Sequence, residues 1–206
     1  MSALAEKLAA GIAQMQLQVN QDKQVLLLRF LELLAKWNKV YNLTAVRDPM
    51  DMVTLHLLDS LSVLPYITGK RLLDVGSGGG LPGIVLAICQ PELQVTTIDT
   101  VQKKAIFMRQ AKGVLGLGNL QVVHGRVEAF ESDIPYEMII SRAFSELDQF
   151  MALTQHLLAD HGHWLAMKGV SPQKELDALK VKDYELYPLF VAGLNAERHL
   201  AIIKKF

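Results

Sequence analysis

The residues with the clearest chemical meaning form a glycine-rich segment near the middle of the chain. The segment reads Asp74-Val75-Gly76-Ser77-Gly78-Gly79-Gly80-Leu81-Pro82-Gly83 and lies between two apolar runs. A strand that ends in glycines and continues as a helix brings backbone N–H groups and the positive helix end to one point. Glycine is needed there because side chains would block close approach. The segment therefore predicts a loop that binds a carboxylate or a phosphate.

The glycine spacing can be read in two frames. In the frame Gly76-x-Gly78-x-Gly80, the dinucleotide fingerprint fails because Leu81 stands where its third glycine belongs. The shifted frame Gly78-x-Gly80-x-x-Gly83 does match, but it begins beyond the end of the strand and includes a proline. We therefore rank dinucleotide binding second.

Two carboxylates accompany the loop. Asp99 ends the next predicted strand, where it could accept hydrogen bonds from both hydroxyls of a ribose, so it suits an adenosyl group of either cofactor type. A carboxylate at Asp74 would repel a pyrophosphate but tolerate a cationic sulfonium. The alternative is that Asp74 only accepts N–H groups of the loop. The charge favours S-adenosylmethionine as the cofactor.

Alternating strands and helices must position this loop. Strands are predicted at 71–75, 94–98, 120–124, 138–141 and 163–168, and helices at 81–89, 101–116, 146–159 and 172–180. This alternation predicts βαβ units on a parallel sheet. Two closing strands, 184–191 and 199–205, are predicted to form an antiparallel pair because the link between them is short.

The first third of the chain predicts helices only. They are expected at 3–16, at 21–41 and from 49 to about Pro65. Asp48 is the expected N-cap of the third helix, with Pro49 at its first position. We therefore predict an N-terminal helical cap, 1–66, followed by an α/β domain, 67–206.

Composition limits the partners. Lys and Arg together number 21, as do Asp and Glu, so no net charge draws the chain of 206 residues to nucleic acid or to a membrane. Any contact with RNA requires a local basic patch.

The single cysteine, Cys89, lies in an apolar run, which is typical of a buried residue rather than a nucleophile. Because no apolar run is long enough to span a bilayer, we expect a soluble, cytoplasmic protein without a membrane partner.

Several further segments carry a more specific pattern. They are Trp37-Asn38-Lys39-Val40-Tyr41-Asn42-Leu43-Thr44, His56-Leu57-Leu58-Asp59-Ser60, Arg126-Val127-Glu128, Ser141-Arg142-Ala143-Phe144, Lys168-Gly169 and Glu197-Arg198-His199. With the glycine loop, they resemble the bacterial glucose-inhibited division protein B family, the guanine-N7 methyltransferases of 16S ribosomal RNA. The resemblance implies an α/β fold of the class I (Rossmann-like) methyltransferase type. Its mostly parallel seven-stranded sheet would have an antiparallel last strand, and its target would be guanine 527 in the 530 loop.

The resemblance also implies site residues. It adds Leu81, Val127, Glu128 and Arg142 to the loop residues, so the predicted cofactor-binding set is Asp74, Gly76, Gly78, Leu81, Asp99, Val127, Glu128 and Arg142. Arg142 is also our candidate catalytic residue, because its guanidinium could hold guanine O6, a phosphate or the methionine carboxylate. The alternative for Arg142 is a structural ion pair.

The residues themselves favour a ring nitrogen as methyl acceptor. Guanine N7 carries a free lone pair and needs no general base. Methylation of a pyrimidine carbon would need a nucleophilic cysteine, and only Cys89 is present. Enzymes that methylate exocyclic amines have an Asn/Asp-Pro-Pro-aromatic turn where this chain has Ser141-Arg142-Ala143-Phe144. The alternatives are a methyltransferase for another RNA, a protein or a small molecule, and a non-catalytic nucleotide-binding module.

Contacts with RNA are expected from one aromatic and several basic residues. The basic candidates are Lys36, Lys39, Arg47, Arg142, Lys168 and Arg198. Phe144 could stack on the target base or belong to the core. The basic residues would meet at one rim only if the cap folds over the carboxyl ends of the strands.

His56, Asp59 and Ser60 share a helix face and either tie the cap to the sheet or line the substrate pocket. We expect a monomer without a metal that acts on 16S rRNA within a 30S particle or assembly intermediate, since the uncharged chain should bind naked RNA weakly.

Overall fold

A seven-stranded sheet forms the centre of the computed structural model, which describes residues 2–142, 144 and 146–205. The strands are β1 Arg71–Val75, β2 Gln94–Asp99, β3 Leu120–His124, β4 Tyr136–Ser141, β5 Leu158–Lys168, β6 Tyr184–Pro188 and β7 His199–Lys204. Their order is β3-β2-β1-β4-β5-β7-β6. The first five strands pair in parallel, and β7 is antiparallel to both β5 and β6. The predicted mostly parallel sheet with an antiparallel last strand is confirmed.

Helices cover both faces of the sheet. They are α1 Ala3–Gln14, α2 Gln21–Tyr41, α3 Pro49–Met52, α4 Asp59–Leu61, α5 Gly83–Cys89, α6 Gln102–Leu115, α7 Leu147–Thr154 and α8 Gln173–Ala178. A π-helical segment, Val53–Leu58, joins α3 to α4. The Asp48 side chain accepts the Met50 N–H, and Pro49 occupies the first turn, as predicted for the start of this helical run.

Side chains alternate between the two faces of the sheet, and each face has its own hydrophobic core. In β1, Leu72 faces a core shared with α1 to α6, and Leu73 faces a core shared with α7 and α8. Leu8 of α1 and Phe30 of α2 belong to the first core together with Leu72. The N-terminal helices therefore pack on the sheet as one continuous core. The division at residue 66 stays a prediction.

Several predicted helix bounds differ from the structure, and for two of them the local cause is clear. The helix predicted at 81–89 begins only at Gly83, because the backbone still turns through the glycine loop before it. The helix predicted at 146–159 ends at Thr154, since Leu158 already pairs with Tyr136 as the first residue of β5. Pairing with β4 overrides the helical pattern at this point.

The side chain of Asn119 donates hydrogen bonds to backbone carbonyls at and after the end of α5. Asn119 lies just before β3, and its Nδ2 lies 3.1 Å from Ala87 O, 3.2 Å from Gln90 O and 2.9 Å from Leu93 O. These carbonyls belong to the last turn of α5 and the connection that follows, where the helix leaves acceptors without partners. One side chain thereby holds the connection between α5 and β2.

Replacing Asn119 with Ala should lower the free energy of unfolding by about 1–3 kcal/mol, because Ala87 O and Leu93 O lose this donor. Chemical denaturation followed by circular dichroism measures this change. The exposed Glu92, in the same connection, provides the matched control, Glu92→Ala, for which we expect a change within about 0.5 kcal/mol. Equal stability of the two variants would contradict this role of Asn119.

Candidate active site

Backbone hydrogen bonds connect the glycine loop to the end of β2. The N–H groups of Gly76 and Ser77 both donate to Ile98 O, at 2.9 and 3.2 Å. Gly76, Gly78 and Gly80 have φ values of 69°, 58° and 84°, in the left-handed region that residues with a Cβ rarely adopt. The glycines are thus required by the backbone conformation of the loop.

Asp74 lies beneath the loop. Its side chain is fully buried, and Oδ2 accepts the Gly83 N–H at 2.8 Å, while Oδ1 has no partner among the described residues. Burial raises the pKa of Asp74 from 3.8 to about 7. A Cβ on Gly83 would come within 2.7 Å of Asp74 Oδ2. The geometry matches the second interpretation of Asp74, a group that holds the loop, and its contact with a cofactor stays a prediction.

Asp99 joins the loop to β2 and lies at the wall of a cavity. Its Oδ2 accepts the Gly78 N–H and its Oδ1 accepts the Val101 N–H, both at 2.8 Å. Lys104 Nζ lies 3.7 Å from Oδ2. Each carboxylate oxygen can accept a further hydrogen bond, so the side chain can still bind a hydroxyl.

A cavity of about 290 Å³ opens beside the loop, and we call it the loop cavity. It is lined by Val75, Gly76, Ile98, Asp99, Thr100, Val101, Lys104, Gly125, Val127, Glu128, Phe144 and Leu153. These residues fit an adenosyl group: the carboxylates of Asp99 and Glu128 suit ribose hydroxyls, and the apolar side chains suit a flat ring.

The loop cavity contains half of the predicted cofactor residues. Gly76, Asp99, Val127 and Glu128 line it. The other four, Asp74, Gly78, Leu81 and Arg142, lie outside its lining. Phe144, predicted as an RNA contact, lines this cavity and packs on Phe150 with ring centroids 5.3 Å apart. The roles of all these residues stay predictions.

A second cavity, of about 390 Å³, lies beyond β4 and β5, and we call it the basic cavity. It is lined by Val46, Leu55, His56, Asp59, Arg142, Met167, Lys168, Gly169 and Arg198. The fold thus brings together three of the predicted functional residues, Arg142, Lys168 and Arg198. Lys168 Nζ also contacts both oxygens of Glu175, at 3.0 and 3.2 Å.

Asp59 connects the N-terminal helices to the two arginines of the basic cavity. Arg142 Nη1 donates to Asp59 Oδ2 at 3.0 Å, and Arg198 Nε donates to Asp59 Oδ1 at 2.7 Å. Arg142 Nη1 also lies 3.2 Å from Leu55 O. Of the two predicted alternatives for Asp59, the structural tie is confirmed, and Asp59 lines the basic cavity as well.

His56 is the neighbouring polar group. Burial, with the charge of Arg142, lowers the pKa of His56 to about 4, so the ring is neutral near neutral pH. Its Nε2 lies 2.9 Å from Thr44 Oγ1, and its Nδ1 has no partner within the described part of the chain. His56 therefore adds a polar surface but no charge to the basic cavity.

The remaining predicted RNA contacts lie elsewhere. Lys36, Lys39 and Arg47 line a separate cavity of about 400 Å³ on the N-terminal helices. Arg47 donates to Asn42 Oδ1 at 2.7 Å, beside the carboxyl end of α2. The structure does not bring these three cations to the same cavity as Arg142, and their contact with RNA stays a prediction.

Sequence reasoning missed part of the lining. Lys104 of α6 and Leu153 of α7 line the loop cavity, although neither belongs to a recognisable motif. Lys104 follows Asp99 by five residues, across the start of α6. This spacing permits an ion pair between them and could have indicated that Lys104 lies near the site. Leu153 offered none, because its place depends on how α7 packs on the sheet.

The described residues contain no group of three or more His, Cys, Asp or Glu side chains that could hold a metal ion. Cys89 is buried, which raises the pKa of its thiol to about 12 and suppresses the thiolate. Within the same residues, no helix has both the length and the hydropathy to cross a membrane.

Comparison with known proteins identifies the family. The model of the family described as rRNA small subunit methyltransferase G matches residues 23–201. The chain belongs to this family. A ribosomal RNA small subunit methyltransferase G of Methylobacillus flagellatus is 62% identical over 97% of this chain and 98% of its own length. One from Neisseria meningitidis is 53% identical over 97% of this chain and 98% of its own length.

Solved structures support the fold. An O-methyltransferase from Bacillus cereus has a TM-score of 0.65 at 16% identity and covers 98% of this chain and all of its own. The O-methyltransferase TomG from Streptomyces achromogenes has a TM-score of 0.63 at 14% identity, with both chains fully covered. The predicted family, that of glucose-inhibited division protein B, is the one described as rRNA small subunit methyltransferase G, and it is confirmed together with the class I methyltransferase fold. The dinucleotide interpretation loses its support.

The raised pKa of Asp74 gives a pH dependence that can be measured. The folded chain keeps this proton up to about pH 7, whereas the unfolded chain releases it near pH 3.8, so stability due to Asp74 falls as pH rises through this range. Asp74→Asn does not ionise. In cofactor-free protein, the wild type should therefore lose stability relative to Asp74→Asn between about pH 4 and pH 7.

Denaturant midpoints of both proteins across this range test the prediction. The depressed pKa of His56 acts in the opposite direction, because its contribution is lost as pH falls, but it does so in both proteins. The difference between the two curves isolates Asp74. Parallel curves would show that Asp74 does not hold a proton in the folded state.

Proposed function

We propose that this chain transfers a methyl group from S-adenosylmethionine to N7 of a guanine in the 16S rRNA of the small ribosomal subunit. One observation carries the proposal: the segment that follows β4 contributes a residue to each cavity. Arg142 lines the basic cavity, and Phe144, two positions later, lines the loop cavity. A cofactor in one cavity and a base in the other would meet at this point.

The loop cavity is the proposed cofactor site. S-adenosylmethionine supplies an electrophilic methyl group on a sulfonium. Asp99 and Glu128 would accept hydrogen bonds from the ribose, while Ile98, Val127 and Leu153 would enclose the adenine. Asp74 and the glycines hold the loop in place, so the residues here bind and orient rather than move a proton.

The basic cavity is the proposed acceptor site. Its cations, Arg142, Lys168 and Arg198, donate hydrogen bonds, and both oxygens of Asp59 are already engaged by the two arginines. A lining rich in donors suits the O6 acceptor of guanine better than the amino group of adenine or cytosine. Attack by N7 needs no general base, which agrees with the absence of an unengaged carboxylate among the described residues of this lining.

The family name specifies a ribosomal RNA of the small subunit, and we extend it to guanine 527 in the 530 loop from the resemblance of the sequence. The protein would act in the cytoplasm as a monomer. Because its net charge is zero, we propose a 30S particle or assembly intermediate as the substrate, since its folded RNA adds phosphate and shape contacts.

The test is incubation of the protein with tritiated S-adenosylmethionine and 30S subunits that lack the modification. Borohydride and aniline then cleave RNA at N7-methylguanine, and primer extension maps the position. Cleavage at guanine 527 supports the proposal. Label in protein or in no macromolecule would overturn it and favour a different acceptor, and failure to bind the cofactor in calorimetry would favour a non-catalytic module.

Arg142→Ala should lower kcat by about 100-fold, because one preorganised donor at the acceptor site is lost. The dissociation constant of S-adenosylmethionine, measured by calorimetry, should change far less. Arg109→Ala removes an exposed arginine on α6 and serves as the control with unchanged kcat. If Arg142→Ala mainly weakens cofactor binding, Arg142 belongs to the cofactor site instead.

The wild-type protein should methylate 30S subunits at least about tenfold faster than a protein-free 16S transcript at physiological salt, because a chain without net charge binds naked RNA weakly. Initial rates at equal concentrations of the two substrates measure this ratio. Equal rates would refute the dependence on an assembled particle without affecting the assignment of the acceptor.

A further inference from the structure

One buried carboxylate lies between two arginines at the basic cavity. The Asp59 side chain is 2% exposed, whereas the side chains of Arg142 and Arg198 are 30% and 24% exposed. Asp59 begins α4, Arg142 follows β4 and Arg198 precedes β7. Three separate parts of the fold therefore meet in a single ionic cluster.

The Asp59 carboxylate reduces the repulsion between the two guanidinium groups of the cluster. Two guanidinium groups that approach each other repel, and a carboxylate between them offsets that repulsion. With two cations and one anion, the cluster keeps a net positive charge. Asp59 thus allows both arginines to lie beside one cavity while the cavity stays attractive to an electron-rich group.

The contacts also set the direction of the arginines. Asp59 engages Nη1 of Arg142 and Nε of Arg198, and Glu197 O engages Nη1 of Arg198 at 2.8 Å. Among the described contacts, Nε and Nη2 of Arg142 and Nη2 of Arg198 keep no partner. Because a guanidinium is planar and each of the two makes two hydrogen bonds, the direction of its remaining N–H groups is set.

We propose that Asp59 is a positioning residue for methyl transfer. It holds Arg142 and Arg198 as a pair of donors to O6 of the target guanine, so that the base is orientated with N7 towards the loop cavity. This inference rests on the proposed function, because it assigns the basic cavity to the acceptor base. Asp59 itself touches no reacting atom.

Asp59→Asn is the decisive variant. The amide has nearly the same shape, but only one of its two polar atoms can accept a hydrogen bond, so one arginine faces an N–H group and is released. With 30S subunits as substrate, kcat should fall about 100-fold, as expected for a misplaced reacting group. The dissociation constant of S-adenosylmethionine should stay nearly unchanged.

A control separates positioning from loss of stability. Tyr136→Phe removes a buried hydrogen bond, from Tyr136 Oη to Thr96 Oγ1 at 3.0 Å, at the amino end of β4 away from both cavities. It should lower the melting temperature and leave kcat unchanged. Circular dichroism at the assay temperature confirms that each variant is folded.

Chemical rescue provides a readout that a merely structural role would not move. In Asp59→Ala, added formate can occupy the vacated site and bridge the arginines again, so kcat should rise with formate concentration. The wild type should show no such increase. If neither Asp59 variant folds, Arg198→Gln keeps the Asp59–Arg142 pair and should still lower kcat without weakening cofactor binding.

The outcomes distinguish this inference from the proposed function. Wild-type protein that does not methylate 30S subunits would overturn the proposed function. Methylation by the wild type together with an unchanged kcat in folded Asp59→Asn would overturn only the positioning role. A decrease in kcat that merely follows the unfolded fraction, without rescue by formate, would also overturn it.

Discussion

A buried carboxylate needs a partner, and Asp59 meets this need with arginines from two distant parts of the chain. Breaking a buried ion pair typically costs about 3–5 kcal/mol because it leaves an uncompensated charge. An exposed pair such as Lys204–Asp183 contributes roughly 0–1 kcal/mol. The cluster at Asp59 is therefore a polar link between the N-terminal helices and the sheet, and it lies beside the basic cavity.

Two carboxylates hold the glycine loop, and their surroundings differ. Asp74 is fully buried, with one oxygen on Gly83 N and a raised pKa. Asp99 lies at the cavity wall with both oxygens on backbone N–H groups. Asp74 supports the loop from within the protein, and Asp99 supports it from the side of the loop cavity. Their different surroundings, rather than their chemistry, give them different roles.

The strand order explains why both cavities lie where they do. The order reverses between β1 and β4, and a crevice forms outside the carboxyl ends of parallel strands at such a point. The loop cavity uses the end of β1 and residues after β4, and the basic cavity uses the ends of β4 and β5. Residues from the helical segment before β1 line one side of the basic cavity.

The sequence by itself determined the glycine loop, the alternation of strands and helices, the start of α3 at Pro49 and the family. These features depend on residues that are close together in the chain, where hydrogen bonds and side-chain periodicity act locally. Only the tertiary structure decided which charges meet. Asp59 and Arg198 are 139 positions apart, and Lys39, whose charge alone would suit the same surface, lies at another cavity. The end of α7 at Thr154 was likewise decided by the pairing of Leu158 with Tyr136. Long-range pairing follows from how the layers pack, and no local pattern encodes it.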